Sequence, residues 1–120
     1  MLNTFPNIKR KGLKILQVNL GYKCNQACIH CHVNAGPHRK EMMNSENISL
    51  IPRVIDAYKI KTIDLTGGAP ELHPEFRDLV KTCRKQDIEV IDRCNLTILS
   101  EKNQEYLAEF LAENKVIITA

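Results

Sequence analysis

The sequence contains no tryptophan, and only 5% of its residues are aromatic. It therefore lacks the stacked aromatic platform with which many proteins bind single-stranded nucleic acid. A net charge of +3 is also too small to indicate nucleic acid or a membrane surface as a partner. No apolar run approaches the roughly 20 residues of a membrane span, and residues 1–13 lack the apolar core of a signal peptide. We therefore predict a cytoplasmic protein without nucleic-acid or membrane partners.

Three of the five cysteines, Cys24, Cys28 and Cys31, lie within eight residues. An odd number of cysteines argues against a closed disulfide framework, and cytoplasmic thiols are more often reduced or bound to metal. Three thiolates leave one position of a metal centre open, as in an iron–sulfur cluster with three protein ligands. A zinc site completed by a nearby histidine, and cysteines without a metal, are the alternatives. Zinc modules usually present two close cysteine pairs. This sequence has a single group of three close cysteines, which favours an iron–sulfur cluster over zinc.

Hydrophobic periodicity predicts four strands alternating with three helices. We predict strands at residues 15–20, 62–66, 88–92 and 115–119, and helices at 47–59, at 74–86 and after Ser100. Pro52 is tolerated only in a first helical turn, which suggests Ser49 as the N-cap of the first helix. The residues expected on the buried helical faces are Ile48, Ile51, Ile55, Tyr58, Phe76, Leu79, Val80, Cys83, Tyr106, Leu107, Phe110 and Leu111. This order predicts an α/β fold with about four parallel strands joined by right-handed crossovers.

Candidate binding residues follow the first three strands, whose carboxyl ends meet at one edge of a parallel sheet. Thr66-Gly67-Gly68 is either a plain turn or a place where a ligand reaches the backbone. Asn95 either caps a turn or hydrogen-bonds a ligand, and His30 is either solvated or packs beside a bound purine. Cys83 is expected to be buried on the second helix, and Cys94 has no assigned role.

The fourth strand, residues 115–119, is apolar and would form an exposed edge of the sheet. Soluble proteins usually cover such edges, and parallel sheets are usually covered on both faces. We therefore expect residues 1–120 to be the N-terminal part of a larger barrel, with a C-terminal half as a missing partner.

Several strings resemble a known family. Cys24-x-x-x-Cys28-x-x-Cys31 after a first strand and Thr66-Gly67-Gly68-Ala69-Pro70-Glu71 after a second are similar to the cluster and glycine motifs of the radical S-adenosylmethionine (SAM) superfamily. Ala69 stands where the superfamily usually has Glu, and His30 stands where an aromatic residue is usual. The longer strings 16–20, 31–37, 66–72 and 92–97 resemble the arsenosugar-biosynthesis radical SAM proteins that carry a C-terminal Cys-rich domain.

The resemblance implies a partial (β/α) barrel with a [4Fe-4S] cluster on Cys24, Cys28 and Cys31. The fourth iron would bind the amino and carboxylate groups of SAM, with Thr66, Gly67, Gly68 and Asn95 beside the ligand. An electron donor of the flavodoxin or ferredoxin type would reduce the cluster. SAM would then be cleaved to methionine and a 5'-deoxyadenosyl radical, and in this subfamily the adenosyl group is joined to a dimethylated trivalent arsenic species. A zinc-binding module without activity and an inactive remnant remain the competing hypotheses.

Overall fold

The computed structural model describes residues 5–9, 11–24, 35–93, 96–101, 104 and 106–120. The strands are β1 (Ile15–Asn19), β2 (Thr62–Thr66), β3 (Glu89–Arg93) and β4 (Ile117–Thr119). The helices are α1 (Ser45–Tyr58), α2 (Phe76–Lys85) and α3 (Leu107–Glu113), and short 3-10 helices span Pro70–Leu72 and Leu96–Ser100.

The four strands form one parallel sheet in the order β1-β2-β3-β4. The register aligns Leu16 with Ile63 and Val18 with Leu65, and Ile63 in turn with Val90. Consecutive parallel neighbours joined through helices place all the helices on one side of the sheet. The predicted α/β fold, with four parallel strands and three helices, is therefore confirmed and is consistent with part of a barrel.

The two faces of the sheet differ in chemistry because strand side chains alternate. One face carries Val18, Ile63, Leu65 and Val90, and it packs against the helices as the hydrophobic core. The helices contribute their predicted apolar residues to this core, namely Ile48, Ile51, Ile55, Phe76, Leu79, Val80, Cys83, Leu107, Phe110 and Leu111. The opposite face, called the open face below, carries Gln17, Asn19, Asp64, Thr66 and Arg93. In a closed barrel, this face would line the interior.

The start of the first helix was predicted wrongly. Helix α1 begins at Ser45, and its N-cap is Asn44, whose side chain accepts a hydrogen bond from the Asn47 N–H over 2.8 Å. Ser49 is therefore inside the helix, and so is Pro52. An interior proline costs about 3 kcal/mol, whereas each buried Ile contributes about 1.5–3 kcal/mol. Three buried isoleucines on α1 thus outweigh the hydrogen bond that Pro52 cannot make.

Two other helix boundaries also differ from the prediction. Helix α2 begins at Phe76 rather than Pro74, and the 3-10 helix Pro70–Leu72 was not predicted. Ser100 does not cap the third helix, because it ends the 3-10 helix that starts at Leu96. That segment is held by Ile98, which is completely buried, so α3 starts only at Leu107.

Two tyrosines that were expected on buried helical faces are exposed. Tyr58 ends α1, and Tyr106 is the residue before α3. Both side chains are exposed to solvent, and each lies at a helix end. Helical spacing alone does not distinguish such a terminal position from a buried one.

Strand β4 pairs with β3 on one side, and Ile117 and Ile118 are both exposed. This agrees with the expectation of an uncovered apolar edge. Within the described ranges, no helix is long and apolar enough to cross a membrane.

Candidate cofactor site

The structure describes four of the eight predicted site residues: Cys24, Thr66, Gly67 and Gly68. The other four, His30, Cys28, Cys31 and Asn95, lie outside the described residues, as does Cys94. Among the residues that are described, no group of three or more His, Cys, Asp or Glu side chains could hold a metal ion. Two of the three proposed cysteine ligands are outside that search, so their role stays a prediction.

The segment that carries the cysteines is closed at its base by backbone hydrogen bonds. The Cys24 N–H donates to the Gly36 carbonyl over 3.1 Å, and the Gly36 N–H donates to the Tyr22 carbonyl over 3.1 Å. Nearer the strand, the Met43 N–H donates to the Leu20 carbonyl over 2.9 Å. Residues 20–24 and 36–43 thus lie side by side, which fixes the position of Cys24 relative to the end of β1.

Cys24 lies directly against the diglycine turn after β2. A Cβ atom placed on Gly68 would be 2.9 Å from the Cys24 Cβ and 2.5 Å from the Lys23 carbonyl oxygen. Such distances are too short for any side chain, so glycine is required by the close approach of two chain segments. The prediction that a cysteine after β1 and the glycines after β2 occupy one edge of the sheet is confirmed for these residues.

Backbone hydrogen bonds hold the two segments together. The Gly68 N–H donates to the Gly21 carbonyl over 3.0 Å, and the Ala69 N–H donates to the Lys23 carbonyl over 2.8 Å. Gly67 has φ +139°, a conformation that side chains disfavour, and a Cβ there would lie 2.5 Å from the Gly21 oxygen. The Gly68 and Ala69 N–H groups therefore attach the turn to the cysteine segment. Its carbonyl groups are acceptors, the type of group that a ligand ammonium would need.

The chemistry of this edge fits an iron–sulfur cluster together with SAM. Cys24 supplies a buried thiol, and the missing side chains at Gly67 and Gly68 let the cysteine segment pack directly against a turn that is itself only partly buried. Cys83 is different, because its thiol is buried on the core side of α2 and burial raises its pKa to about 11. A thiol that stays protonated and faces a hydrophobic core is unsuited to a metal, so Cys83 has the packing role that the sequence predicted.

His73 is a residue of this region that the sequence analysis missed. Its Nδ1 accepts a hydrogen bond from the Glu75 N–H over 3.1 Å, and its Nε2 lies 2.7 Å from the Met43 carbonyl oxygen. Because Nδ1 is an acceptor, Nε2 carries the hydrogen and donates it to Met43. The ring therefore ties the chain after the diglycine turn to the end of the cysteine segment. No feature of its sequence position indicates this contact, which spans 30 residues.

A second missed feature is a polar network on the open face. The Arg93 guanidinium donates three hydrogen bonds to the carboxylate of Asp64, at 2.9–3.1 Å, and the Gln17 amide donates to Asp64 over 3.2 Å. The hydrogen bond and the charge of Asp64 raise the pKa of Arg93. An acidic residue between Ile63 and Leu65 in the middle of a strand was the available signal, since such a residue in a parallel sheet needs a partner.

A third missed feature is a pair of buried carboxyl groups, Glu71 and Asp92. Their exposed fractions are 6% and 0%, and no third residue in the described part of the chain donates a hydrogen bond to any of their four oxygen atoms. Burial raises the pKa of Asp92 to about 9, and the hydrogen bond and negative charge of Glu71 add to the shift. The two carboxyl groups therefore keep one proton between them at neutral pH, and this proton is the hydrogen that the pair shares.

We expect Asp92→Asn to stabilise the protein at pH 8 by more than about 1 kcal/mol, because the folded wild-type protein must keep a proton on this carboxyl pair that the unfolded chain has released. An unfolded Asp ionises near pH 3.8, whereas the folded group stays protonated up to about pH 9. The wild-type protein must therefore lose stability as the pH rises between these values, by up to about 1.4 kcal/mol per pH unit for one proton. The asparagine amide donates a hydrogen bond to Glu71 without ionising, so this loss should become shallower. Urea unfolding between pH 5 and 9 measures both effects.

The matched control is Asp56→Asn, at an exposed position on α1. It should leave both the stability and its pH dependence unchanged within about 0.5 kcal/mol. If Asp92→Asn is less stable than the wild type at pH 8, or keeps the same slope, the assignment of a proton shared by this pair is wrong.

Comparison with known families identifies the scaffold. The sequence pattern of the radical SAM superfamily matches residues 18–119. The chain belongs to the radical SAM superfamily. Members of this superfamily bind a [4Fe-4S] cluster and SAM, which agrees with the chemistry of the edge formed by Cys24 and the diglycine turn.

Curated relatives of this radical SAM chain include several proteins named probable GTP 3',8-cyclase. The one from Sulfurisphaera tokodaii is 33% identical over 75 residues, which cover 62% of this chain and 23% of that protein. The protein from Sulfolobus acidocaldarius is 25% identical over 81 residues, covering 68% and 26%. The protein from Pyrococcus horikoshii is 28% identical over 93 residues, covering 75% and 30%. The matched region thus spans about a quarter of the length of these relatives.

Proposed function

We propose that this chain carries the cluster-binding part of a radical SAM enzyme that cleaves SAM reductively. Cys24, Cys28 and Cys31 would hold a [4Fe-4S] cluster, and Thr66, Gly67, Gly68, His30 and Asn95 would contact SAM. The observation that carries this proposal is the contact between Cys24 and Gly68, where a single added Cβ would lie 2.9 Å from the Cys24 Cβ. It puts a thiol that could bind iron next to backbone that a ligand can approach.

The chemistry that a bound and reduced cluster would supply is the electron for cleavage of a carbon–sulfur bond of SAM to methionine and a 5'-deoxyadenosyl radical. The residues of this chain position the ligands for that chemistry. Backbone carbonyl groups of the diglycine turn would accept hydrogen bonds from the amino group of SAM. The buried position of Cys24 and the closed base of its segment would exclude water from one side of the site.

The substrate that we propose is a dimethylated trivalent arsenic species, to which the adenosyl group would be joined in arsenosugar biosynthesis. The support is the resemblance of the strings at residues 16–20, 31–37, 66–72 and 92–97 to that subfamily. The relatives named as GTP 3',8-cyclases share about a quarter of their length with this chain, so their name does not identify the substrate of this chain. A reductant of the flavodoxin or ferredoxin type and a C-terminal half that continues the sheet beyond β4 would be the partners.

The experiment is anaerobic reconstitution of the chain with iron and sulfide, followed by SAM and a strong reductant. We expect 5'-deoxyadenosine and methionine to form in equal amounts, measured by chromatography with mass detection. Omission of the reductant is the control and should abolish both products. Reconstituted protein that holds its cluster but forms neither product with reductant present would contradict the proposed activity.

A further inference from the structure

The strongest unexplained feature outside the cofactor edge is Arg93 on the open face. Arg93 is the last residue of β3, on the same sheet face as Gln17, Asn19, Asp64 and Thr66. Among the described residues, the helices pack on the other face, and in a barrel the open face surrounds the space in which a ligand would lie. Two residues of this face, Asn19 and Thr66, are paired in the register and end the strands that lead to the cofactor edge.

Asp64 fixes the orientation of the Arg93 guanidinium. The carboxylate of Asp64 accepts hydrogen bonds from Nε at 3.0 and 3.1 Å and from one terminal nitrogen, Nη2, at 2.9 Å. The side chain of Asp64 is only 8% exposed, and Gln17 holds its Oδ2 from the other side. A buried carboxylate that accepts hydrogen bonds along one edge of a planar guanidinium leaves the arginine side chain few alternative rotamers.

The other edge of the guanidinium is open to solvent. Of the five N–H groups of an arginine, Asp64 engages the one on Nε and one on Nη2. The remaining three, on Nη1 and Nη2, have no acceptor in the part of the chain that the structure describes. The Arg93 side chain is 52% exposed, so a ligand can reach this second edge, whose geometry matches a carboxylate or phosphate.

We propose that Arg93, oriented by Asp64, binds the carboxylate or phosphate group of a ligand on the open face, distinct from the dimethylated arsenic species, which carries neither group. This inference rests on the proposed radical SAM function for the identity of the reaction, although oxyanion binding itself requires no cluster. The role of Asp64 is to position Arg93. Its charge also partly offsets that of Arg93, so the site selects for two-oxygen geometry rather than for negative charge in general. A lysine has no second edge and cannot replace the arginine in this role.

The test is calorimetric titration of the 120-residue chain with inorganic phosphate and, separately, with acetate. We expect saturable binding of at least one of these anions, weakened about tenfold or more in Arg93→Gln and similarly in Arg93→Lys. The anion that shows saturable binding identifies whether the site binds a phosphate or a carboxylate. The control is Arg77→Gln, on α2, where the guanidinium lies 5.2 Å from the Phe110 ring and away from the open face. This variant should bind like the wild type.

Arg93→Gln leaves the buried Asp64 without its charged partner and could fail to fold. The double variant D64N/R93Q removes both charges together and keeps two amides that can hydrogen-bond each other. It should fold, by circular dichroism, and should bind neither anion. Wild-type affinity in a folded Arg93 variant, or no saturable binding by the wild-type protein, overturns the proposal.

Repeating the titrations with and without the reconstituted cluster separates this inference from the proposed function. If the chain forms no cluster but still binds an anion through Arg93, the oxyanion site is supported. The proposed radical chemistry is then contradicted. Loss of phosphate binding when SAM is added to the reconstituted protein would assign Arg93 to the carboxylate of SAM and overturn its role in binding a separate ligand. Unchanged phosphate binding supports it.

Discussion

Cys28→Ala is expected to abolish binding of the iron–sulfur cluster, whereas Cys83→Ala is expected to leave it intact. A [4Fe-4S] cluster that loses one of three thiolates keeps two, which do not hold it stably. Cys83 lies on the core side of α2, and burial raises the pKa of its thiol to about 11, so it stays protonated. Visible absorbance and iron content after anaerobic reconstitution measure the difference: about four irons per chain in Cys83→Ala and close to none in Cys28→Ala.

The two variants form a matched pair because each removes one sulfur atom. Cys83→Ala leaves a small cavity in the core and should cost roughly 1 kcal/mol of folding free energy, which circular dichroism can monitor. Loss of the cluster in a folded Cys83→Ala protein would show that the ligand assignment is wrong. Full iron content in Cys28→Ala would show the same.

Gly68→Ala is expected to disrupt the site although it removes no functional group. The added methyl would lie 2.5 Å from the Lys23 oxygen, 2.8 Å from the Lys23 carbonyl carbon and 2.9 Å from the Cys24 Cβ. Two of these atoms are backbone, so the cysteine segment must move, and the hydrogen bond from Ala69 to Lys23 must lengthen. We expect a loss of about 1–3 kcal/mol in stability and at least a tenfold loss in SAM affinity. Urea unfolding and calorimetry with SAM measure the two effects.

Gly12→Ala is the control for this substitution. Unlike Gly68, Gly12 has a positive φ, of +156°, but a Cβ there would meet no atom within 4 Å. It therefore reports the effect of backbone strain without the clash, in a segment away from the site. SAM affinity in Gly12→Ala should equal that of the wild type. Equal affinity in Gly68→Ala would mean that the close approach of Gly68 to Cys24 has no part in ligand binding.

Much of the fold was predictable because periodic apolar residues define each element. Strand β2 has the predicted bounds, 62–66, and each of the other three strands lies within two residues of its prediction. The parallel sheet then followed from the alternation of strands and helices. The errors at Ser49, Pro74 and Ser100 arose where a single residue type was taken to mark a helix start. At these places, the packing of Ile98 and of the α1 isoleucines decided the boundary instead.

The contact between Cys24 and the diglycine turn was predictable, since both follow neighbouring parallel strands. The other contacts were not, because they join residues that are far apart in sequence and whose types are common on surfaces. Arg93 meets Asp64 across 29 residues, and His73 meets Met43 across 30. The predicted strands 62–66 and 88–92 each contain an aspartate, which was the one sequence signal of buried polar contacts. This signal does not identify Arg93 or Glu71 as the partners.

Metal content after anaerobic reconstitution tests the central claim most directly. If Cys24, Cys28 and Cys31 hold a cluster with one open iron, the purified chain will be brown and will contain about four irons. A colourless chain with one tightly bound zinc would contradict the claim and would favour a structural metal module instead.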